Sequence, residues 1–235
     1  MADYQLHAAH LYADLMNTYG DYGNLVALRY YAQQIGVDLD VSLVSIGDEF
    51  DDQQYDFVLF GGGQDYEEAI VAKDLPLKAA GIKRYIEADG PLLGVCGGFQ
   101  LLGQYFLLAD GTRIEGVGAM QHYTLNQPHN RFTGNVEIVN QETGQKYRGF
   151  ENHQGRTFIA DNQRPLGQVL KGKGNNGEDG GEGLIYKNVY GTYFHGPILT
   201  RNGNLALRLL EISLKRKYPA VDWSEKLKFV TPESF

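Results

Sequence analysis

Pro91-Leu92-Leu93-Gly94-Val95-Cys96-Gly97-Gly98-Phe99-Gln100 is an apolar run that ends at the chain's only cysteine and reopens as a helix. A short, unbroken apolar run is the pattern of a strand buried on both faces, as in a parallel sheet. Strand, nucleophile and helix in immediate succession form the cysteine version of a nucleophile elbow. Such a turn needs unusual backbone angles and leaves little room beside the nucleophile. Glycine at Gly94, Gly97 and Gly98 meets both needs. The new helix directs free N–H groups at the sulfur, which favours thiolate over thiol and can hold a developing oxyanion. A lone cysteine is more often a small buried apolar residue. The glycine pattern at the end of an apolar strand favours the nucleophile instead.

Working outward, Phe57-Val58-Leu59-Phe60 is a second buried run, and it ends in Gly61-Gly62-Gly63-Gln64-Asp65. Glycines at the carboxyl end of a parallel strand let backbone N–H groups approach a ligand, although a plain flexible turn has the same composition. The loop lacks the Lys-Ser/Thr of a phosphate-binding P-loop. Upstream, residues 6–11 read as the first strand. The Asn-, Asp-, Gly- and Tyr-rich residues 12–24 read as a loop, with Asn24 capping a helix over residues 25–35, and a second strand follows over residues 37–46. This βαβ opening predicts a parallel sheet with right-handed crossovers. A helix is expected from Pro76 to Ala88, with the proline in its first turn. Ligands of open α/β sheets bind beyond the carboxyl ends of the strands, where both the triple-glycine loop and Cys96 fall.

Downstream, the elbow helix is expected to run over residues 100–108, and a polar loop over residues 123–131 precedes a strand at residues 134–140. Arg131 in that loop suits a bidentate grip on a carboxylate, and equally suits an ordinary surface position. His153, within Glu151-Asn152-His153-Gln154-Gly155-Arg156, reads as a structural histidine bonding a loop. The glycine-rich residues 172–183 read as a mobile surface loop. Short strands at residues 183–187 and 189–194 end in His195-Gly196-Pro197, which sets His195 on the same sheet edge as Cys96, where a general base would stand. An amphipathic helix spans residues 202–218, with Lys215-Arg216-Lys217 at its C-terminal end as the helix dipole prefers.

The 235 residues suit one α/β domain, assigned to residues 1–218, and a tail over residues 219–235 that packs on the domain or on a partner. A net charge of −8 argues against nucleic acid as the main partner. One cysteine excludes an internal disulfide framework and fits a reducing, cytoplasmic compartment. The start, Met1-Ala2-Asp3-Tyr4-Gln5, has no basic n-region or long apolar core, so neither a signal peptide nor a membrane span is expected.

Gly94-Val95-Cys96-Gly97-Gly98-Phe99-Gln100 together with Tyr193-Phe194-His195-Gly196-Pro197 resembles the class I glutamine amidotransferases. The Gly61–Asp65 loop and the residue 151–156 cluster narrow the likeness to the cobyric-acid-synthase-like branch. The opening residues 10–21 narrow it further, to the glutaminase (GatD-type) subunits of lipid II isoglutaminyl synthases. The resemblance covers nearly the full length. It implies an open, mostly parallel, flavodoxin-like sheet flanked by helices, with an additional small β region. It implies that Cys96 attacks the side-chain amide of L-glutamine to form a γ-glutamyl thioester, and that His195 activates the thiol and protonates the departing ammonia. Arg131 would hold the substrate α-carboxylate, Gln100 would line the pocket, and N–H groups of Gly62, Gly63 and Gly97 would form the oxyanion hole.

The chain carries no motif for ATP, so no cofactor is expected in it. The family's partner is a Mur-ligase-like (MurT-type) subunit forming a heterodimer, with ATP and Mg²⁺ on that subunit. The partner would amidate the D-glutamate of lipid II in peptidoglycan synthesis. Many class I amidotransferases carry a glutamate two residues after the catalytic histidine. Here that residue is Pro197, so the orienting acid comes from elsewhere in the chain or, as favoured, from the partner. The competing expectations are a cobyrinate-type amidotransferase subunit, a γ-glutamyl hydrolase of the same fold, and a non-catalytic subunit of a ligase.

Overall fold

A computed structural model describes residues 3–234. The chain start at Met1-Ala2 and Phe235 of the tail lie outside them. The first half runs β1 (Tyr4–Leu11), α1 (Gly23–Gln34), β2 (Val37–Val44), β3 (Phe57–Phe60), α2 (Asp65–Glu87), β4 (Leu92–Val95), α3 (Gly97–Leu102), β5 (Tyr105–Leu107), β6 (Arg113–Glu115) and β7 (His122–Asn126). The second half runs β8 (Phe132–Val139), β9 (Lys146–His153), β10 (Gly155–Ile159), β11 (Gly167–Lys171), β12 (Gly181–Glu182), β13 (Leu184–Tyr186), β14 (Val189–Thr192), β15 (Phe194–His195), α4 (Ile198–Arg201), α5 (Gly203–Lys217) and α6 (Trp223–Leu227).

The central sheet has six strands in the order β13-β14-β4-β3-β1-β2. All pair in parallel except the edge hairpin of β13 with β14. Every residue of β3 and β4 is buried, as the unbroken apolar runs predict. The additional β region is larger than expected. It consists of a four-stranded sheet, β10-β7-β5-β6, and a five-stranded sheet, β12-β11-β8-β9-β15.

Two registers fix the working edge. Phe60 lies opposite Gly94, and Thr192 opposite Val95. The triple-glycine loop, Cys96 and the chain leading to His195 therefore leave neighbouring strands at the same end. The last two residues of that path, Phe194 and His195, swing over to pair with Phe150 and Glu151 of β9. His195 is thus held where the central sheet meets the five-stranded sheet.

Several expected boundaries are corrected. Pro76 lies inside α2, which begins eleven residues earlier, at Asp65. Gln64 and Glu67 form a capping box there, and Asp65 and Glu67 complement the helix dipole, so the proline costs one internal hydrogen bond in a helix nucleated elsewhere. Asn24 is not the cap of α1: its Nδ2 donates to the Asp21 carbonyl at 3.0 Å, and its Oδ1 accepts the Leu199 N–H at 2.9 Å. The elbow helix stops at Leu102, and β5 takes up residues expected to continue it. Residues 122–126 are strand rather than loop. The stretch at 172–183 is no mobile loop, because Asn175 and Asn176 are buried and bonded to Gly183 and Thr157. Residues 219–234 carry α6. Trp223 is buried edge-on to Tyr4 with centroids 4.8 Å apart, and its Nε1 donates to the Tyr218 carbonyl at 3.1 Å. No helix among the described residues is long and apolar enough to cross a membrane.

Candidate active site

Cys96 has φ 48° and ψ −107°, a conformation that L-residues rarely adopt, between β4 and α3. Three backbone bonds hold it there: Cys96 N–H to Thr192 O at 2.8 Å, Gly98 N–H to Gly61 O at 3.0 Å, and Gln100 N–H to Cys96 O at 2.9 Å. Glycine is required for close approach. A Cβ on Gly98 would overlap the Phe60 carbonyl, and one on Gly94 would come 2.8 Å from Leu102 Cδ1. Strain of this kind persists only where the surroundings over-determine it, and it clusters at functional sites.

Cys96 opens into a cavity of about 660 Å³ whose walls include Gly63, Glu68, Gln100, Arg131, His153 and His195. Gly62 packs between three groups beside it. A Cβ there would lie 3.2 Å from Cys96 Cβ, 3.4 Å from Asp21 Oδ2 and 3.5 Å from His195 Cε1. Cys96 and His195, 99 residues apart in sequence, are therefore brought together. The His195 ring is buried, and neither of its nitrogens makes a hydrogen bond among the described residues. The Asn152 carbonyl faces it, favouring the protonated ring slightly without reaching hydrogen-bond geometry. Tyr19, itself at φ 64°, lays its ring 4.6 Å from that of His195 and accepts from Asn152 Nδ2 at its hydroxyl.

The electrostatics keep both groups neutral at rest. Burial, then the Glu68 and Asp21 carboxyls, push the Cys96 thiol well up. The Gly97 N–H facing the sulfur and the Arg131 charge oppose this. Burial pushes His195 down to about 4. Asp21 is raised to about 7 by burial against the pull of its bond from Gly62.

Arg131 reaches the cavity mouth, where its guanidinium donates to Asn152 Oδ1 at 3.0 Å and Gln154 Oε1 at 3.2 Å. Gln100 is buried in the wall, and its Nε2 donates to the Tyr193 hydroxyl at 3.1 Å. His153 bonds the Gly155 carbonyl at 2.7 Å through Nδ1 and stacks on Tyr193 with centroids 3.6 Å apart, as a structural histidine does, while also lining the cavity. Of the three expected oxyanion donors, Gly63 and Gly97 stand at the site, but Gly62 is corrected: its N–H is committed to Asp21 Oδ2 at 2.7 Å. The sequence reading missed Tyr19, Asp21 and Glu68. The signals were faint. Asp21 looks like any loop aspartate, and Glu68 like any acid in a first helical turn.

A parallel α/β sheet carrying a strained cysteine elbow with a histidine from a neighbouring strand defines the class I amidotransferase architecture. Comparison with known proteins makes the assignment particular. Residues 7–203 match the model of the CobB/CobQ-like glutamine amidotransferase domain, and the chain belongs to that family. It is 59% identical over 215 residues to the GatD subunit of lipid II isoglutaminyl synthase (glutamine-hydrolyzing) from Streptococcus pneumoniae, covering 92% of this chain and 83% of that protein. It is 38% identical over 214 residues to the GatD subunit from Staphylococcus aureus, covering 91% of this chain and 86% of the relative. The fold is shared with the solved structure of PurLQS from Thermotoga maritima, at a TM-score of 0.61 and 19% identity, covering 94% of this chain and 99% of that one.

Proposed function

We propose that the chain is the glutaminase subunit of a cytoplasmic lipid II-amidating synthetase. It hydrolyses L-glutamine and passes ammonia to a Mur-ligase-like, MurT-type partner that holds ATP and Mg²⁺ and converts the D-glutamate α-carboxyl of lipid II to D-isoglutamine. The observation that carries this reading is the juxtaposition of Cys96 and His195 in one cavity, in a chain 59% identical to a GatD subunit over most of both lengths.

In this reading Cys96 Sγ attacks the carboxamide carbon as its proton passes to His195. The N–H groups of Gly97 and Gly63 receive the oxyanion. His195 returns the proton to the departing nitrogen, and water, activated by the same ring, releases glutamate from the thioester. Arg131 grips the α-carboxylate with a planar fork, and Gln100 lines the slot for the side chain. The acid that orients His195 comes from the partner. The two unbonded ring nitrogens and Pro197 in place of an acid support that part.

The test is copurification of the native chain followed by glutamine- and ATP-dependent amidation of lipid II. A copurifying ligase that amidates lipid II, and does so with a Cys96→Ala subunit only when free ammonia is added, is the expected result. A different synthetase partner would leave glutamine hydrolysis standing and remove the cell-wall role. Glutamine hydrolysis as fast in the isolated chain as in the complex would remove the partner's acid.

A further inference from the structure

The cavity wall holds a carboxyl group that the mechanism above leaves unused. Glu68 sits in the first turn of α2, is 2% exposed, and lines the cavity beside Cys96. Its Oε2 is buried without a hydrogen-bond partner among the described residues. Its Oε1 fills the space against Gly97, where a Cβ would overlap it, and its Cδ lies 2.9 Å from that Cβ position. The carboxyl group therefore stands at the residue whose N–H faces the sulfur.

Its surroundings decide its protonation state. Burial comes first, and then Asp65 and Glu67 on the same helix raise its pKa well above the usual carboxyl range. Around its neighbour Cys96 stand Asp21 beyond Gly62, the neutral His195 ring, and Arg131 at the cavity mouth, whose charge acts on the thiol; the charges acting on Glu68 itself are the two acids. A buried carboxyl group so placed, its Oε2 unpaired among the described residues, favours its protonated form, in which it is a hydrogen-bond donor. The site also lacks a donor, since the Gly62 N–H is taken by Asp21.

We propose that Glu68 is a catalytic residue that donates its O–H, beside the Gly97 N–H, to the oxyanion formed when Cys96 attacks glutamine. This rests on the glutaminase reading of the site. As the Sγ–C bond forms, the carbonyl π pair moves to oxygen and the thiol proton moves to His195. Glu68 keeps its proton and lends it as a hydrogen bond. When the C=O bond re-forms, the C–N bond breaks and ammonia leaves with the proton from His195. A carboxylic acid held neutral by an apolar site can serve an oxyanion in this way. It adds a donor to the oxyanion, and removing one such donor typically lowers kcat by about 10²–10³.

The experiment compares full-length wild type, Glu68→Gln and Glu68→Leu, alone and with any copurifying ligase, for glutamate release from glutamine. In parallel, Cys96 is alkylated by iodoacetamide, a displacement that builds no oxyanion. Glutamine at position 68 keeps an N–H donor, so Glu68→Gln should retain kcat within about a factor of three. Glu68→Leu should lose about 10²-fold or more in kcat, with KM little changed and alkylation no slower than in the wild type. Should Glu68→Leu not fold, Glu68→Met, close to glutamate in length, replaces it. Wild-type turnover in the leucine or methionine variant would overturn the inference. So would a Glu68→Gln variant as damaged as these, with KM raised, because that pattern requires a charge, as for a contact to the substrate ammonium. A wild-type chain that releases no glutamate sinks the glutaminase reading itself, whereas losses confined to the variants bear on Glu68 alone.

Discussion

Replacing Asp21 by asparagine should stabilise the protein, and increasingly so as the pH rises. Asp21 is fully buried, its Oδ2 accepts the Gly62 N–H at 2.7 Å, and its Oδ1 has no partner. Desolvation outweighs that one bond and raises the carboxyl from 3.8 to about 7. Between these values the native state binds a proton that the unfolded chain has released, so stability falls as the pH climbs through this window. The penalty is complete above pH 7 and absent below pH 4. Each tenfold change in proton affinity is worth about 1.4 kcal/mol, so the full penalty is about 4 kcal/mol, of which about 3 kcal/mol develops between pH 5 and pH 8. Asparagine does not titrate, and its carbonyl oxygen can still accept from Gly62. The stability difference between variant and wild type, from urea denaturation at pH 5, 6, 7 and 8, should therefore rise by about 3 kcal/mol over that range. Taking the difference cancels every other titrating group. A difference flat within about 0.5 kcal/mol, or one favouring wild type at pH 8, would refute the claim that Asp21 is held against its ionisation.

Arg131→Ala should raise KM for glutamine and lower kcat/KM by about 10²-fold, read from steady-state glutaminase kinetics, because a charge-assisted fork is lost from the cavity mouth. Gly98→Ala should fail to accumulate as folded protein or lose several kcal/mol, about 3 or more, in denaturant titration, since its Cβ would meet the rigid Phe60 carbonyl rather than a movable side chain. Trp223→Ala should cost about 3–5 kcal/mol by the same titration, because the indole is fully buried and its N–H is bonded to Tyr218.

The parts of the fold legible in the sequence were those governed by burial on both faces. Phe57–Phe60 and Leu92–Val95 are apolar throughout because helices cover both sides of the sheet, and no other short element writes so plain a pattern. The glycines that open the elbow were legible for a steric reason, and His195 because a strand end must point it at the same edge. The start of α2 was misread because Pro76 is a strong local signal and the capping pair Gln64 and Glu67 a weak one, although the pair governs. The two smaller sheets were mostly lost because their strands are two to eight residues long and most of them are only partly buried. Asp21 and Glu68 were illegible for a deeper reason: what distinguishes them is one buried carboxyl oxygen each without a partner among the described residues, and a sequence pattern does not carry absences.

Burial sets the charge state of the catalytic pair at rest. A thiolate–imidazolium pair would place two charges in a cavity that pushes the thiol up and holds the imidazole near 4, so the groups rest as thiol and neutral ring. Attack must then create an imidazolium in a buried position, where the Asn152 carbonyl faces the ring and neither ring nitrogen is bonded among the described residues. A carboxylate set about 4 Å from the ring would supply about 4 kcal/mol at an effective dielectric constant of 20, close to a thousandfold in rate. It would do so only once the proton has moved, which is the condition for lowering the barrier rather than the ground state. A partner that brings such a group when it docks, as proposed above, would therefore switch turnover on without rebuilding the elbow. Released ammonia would then be made chiefly where a ligase stands ready to use it.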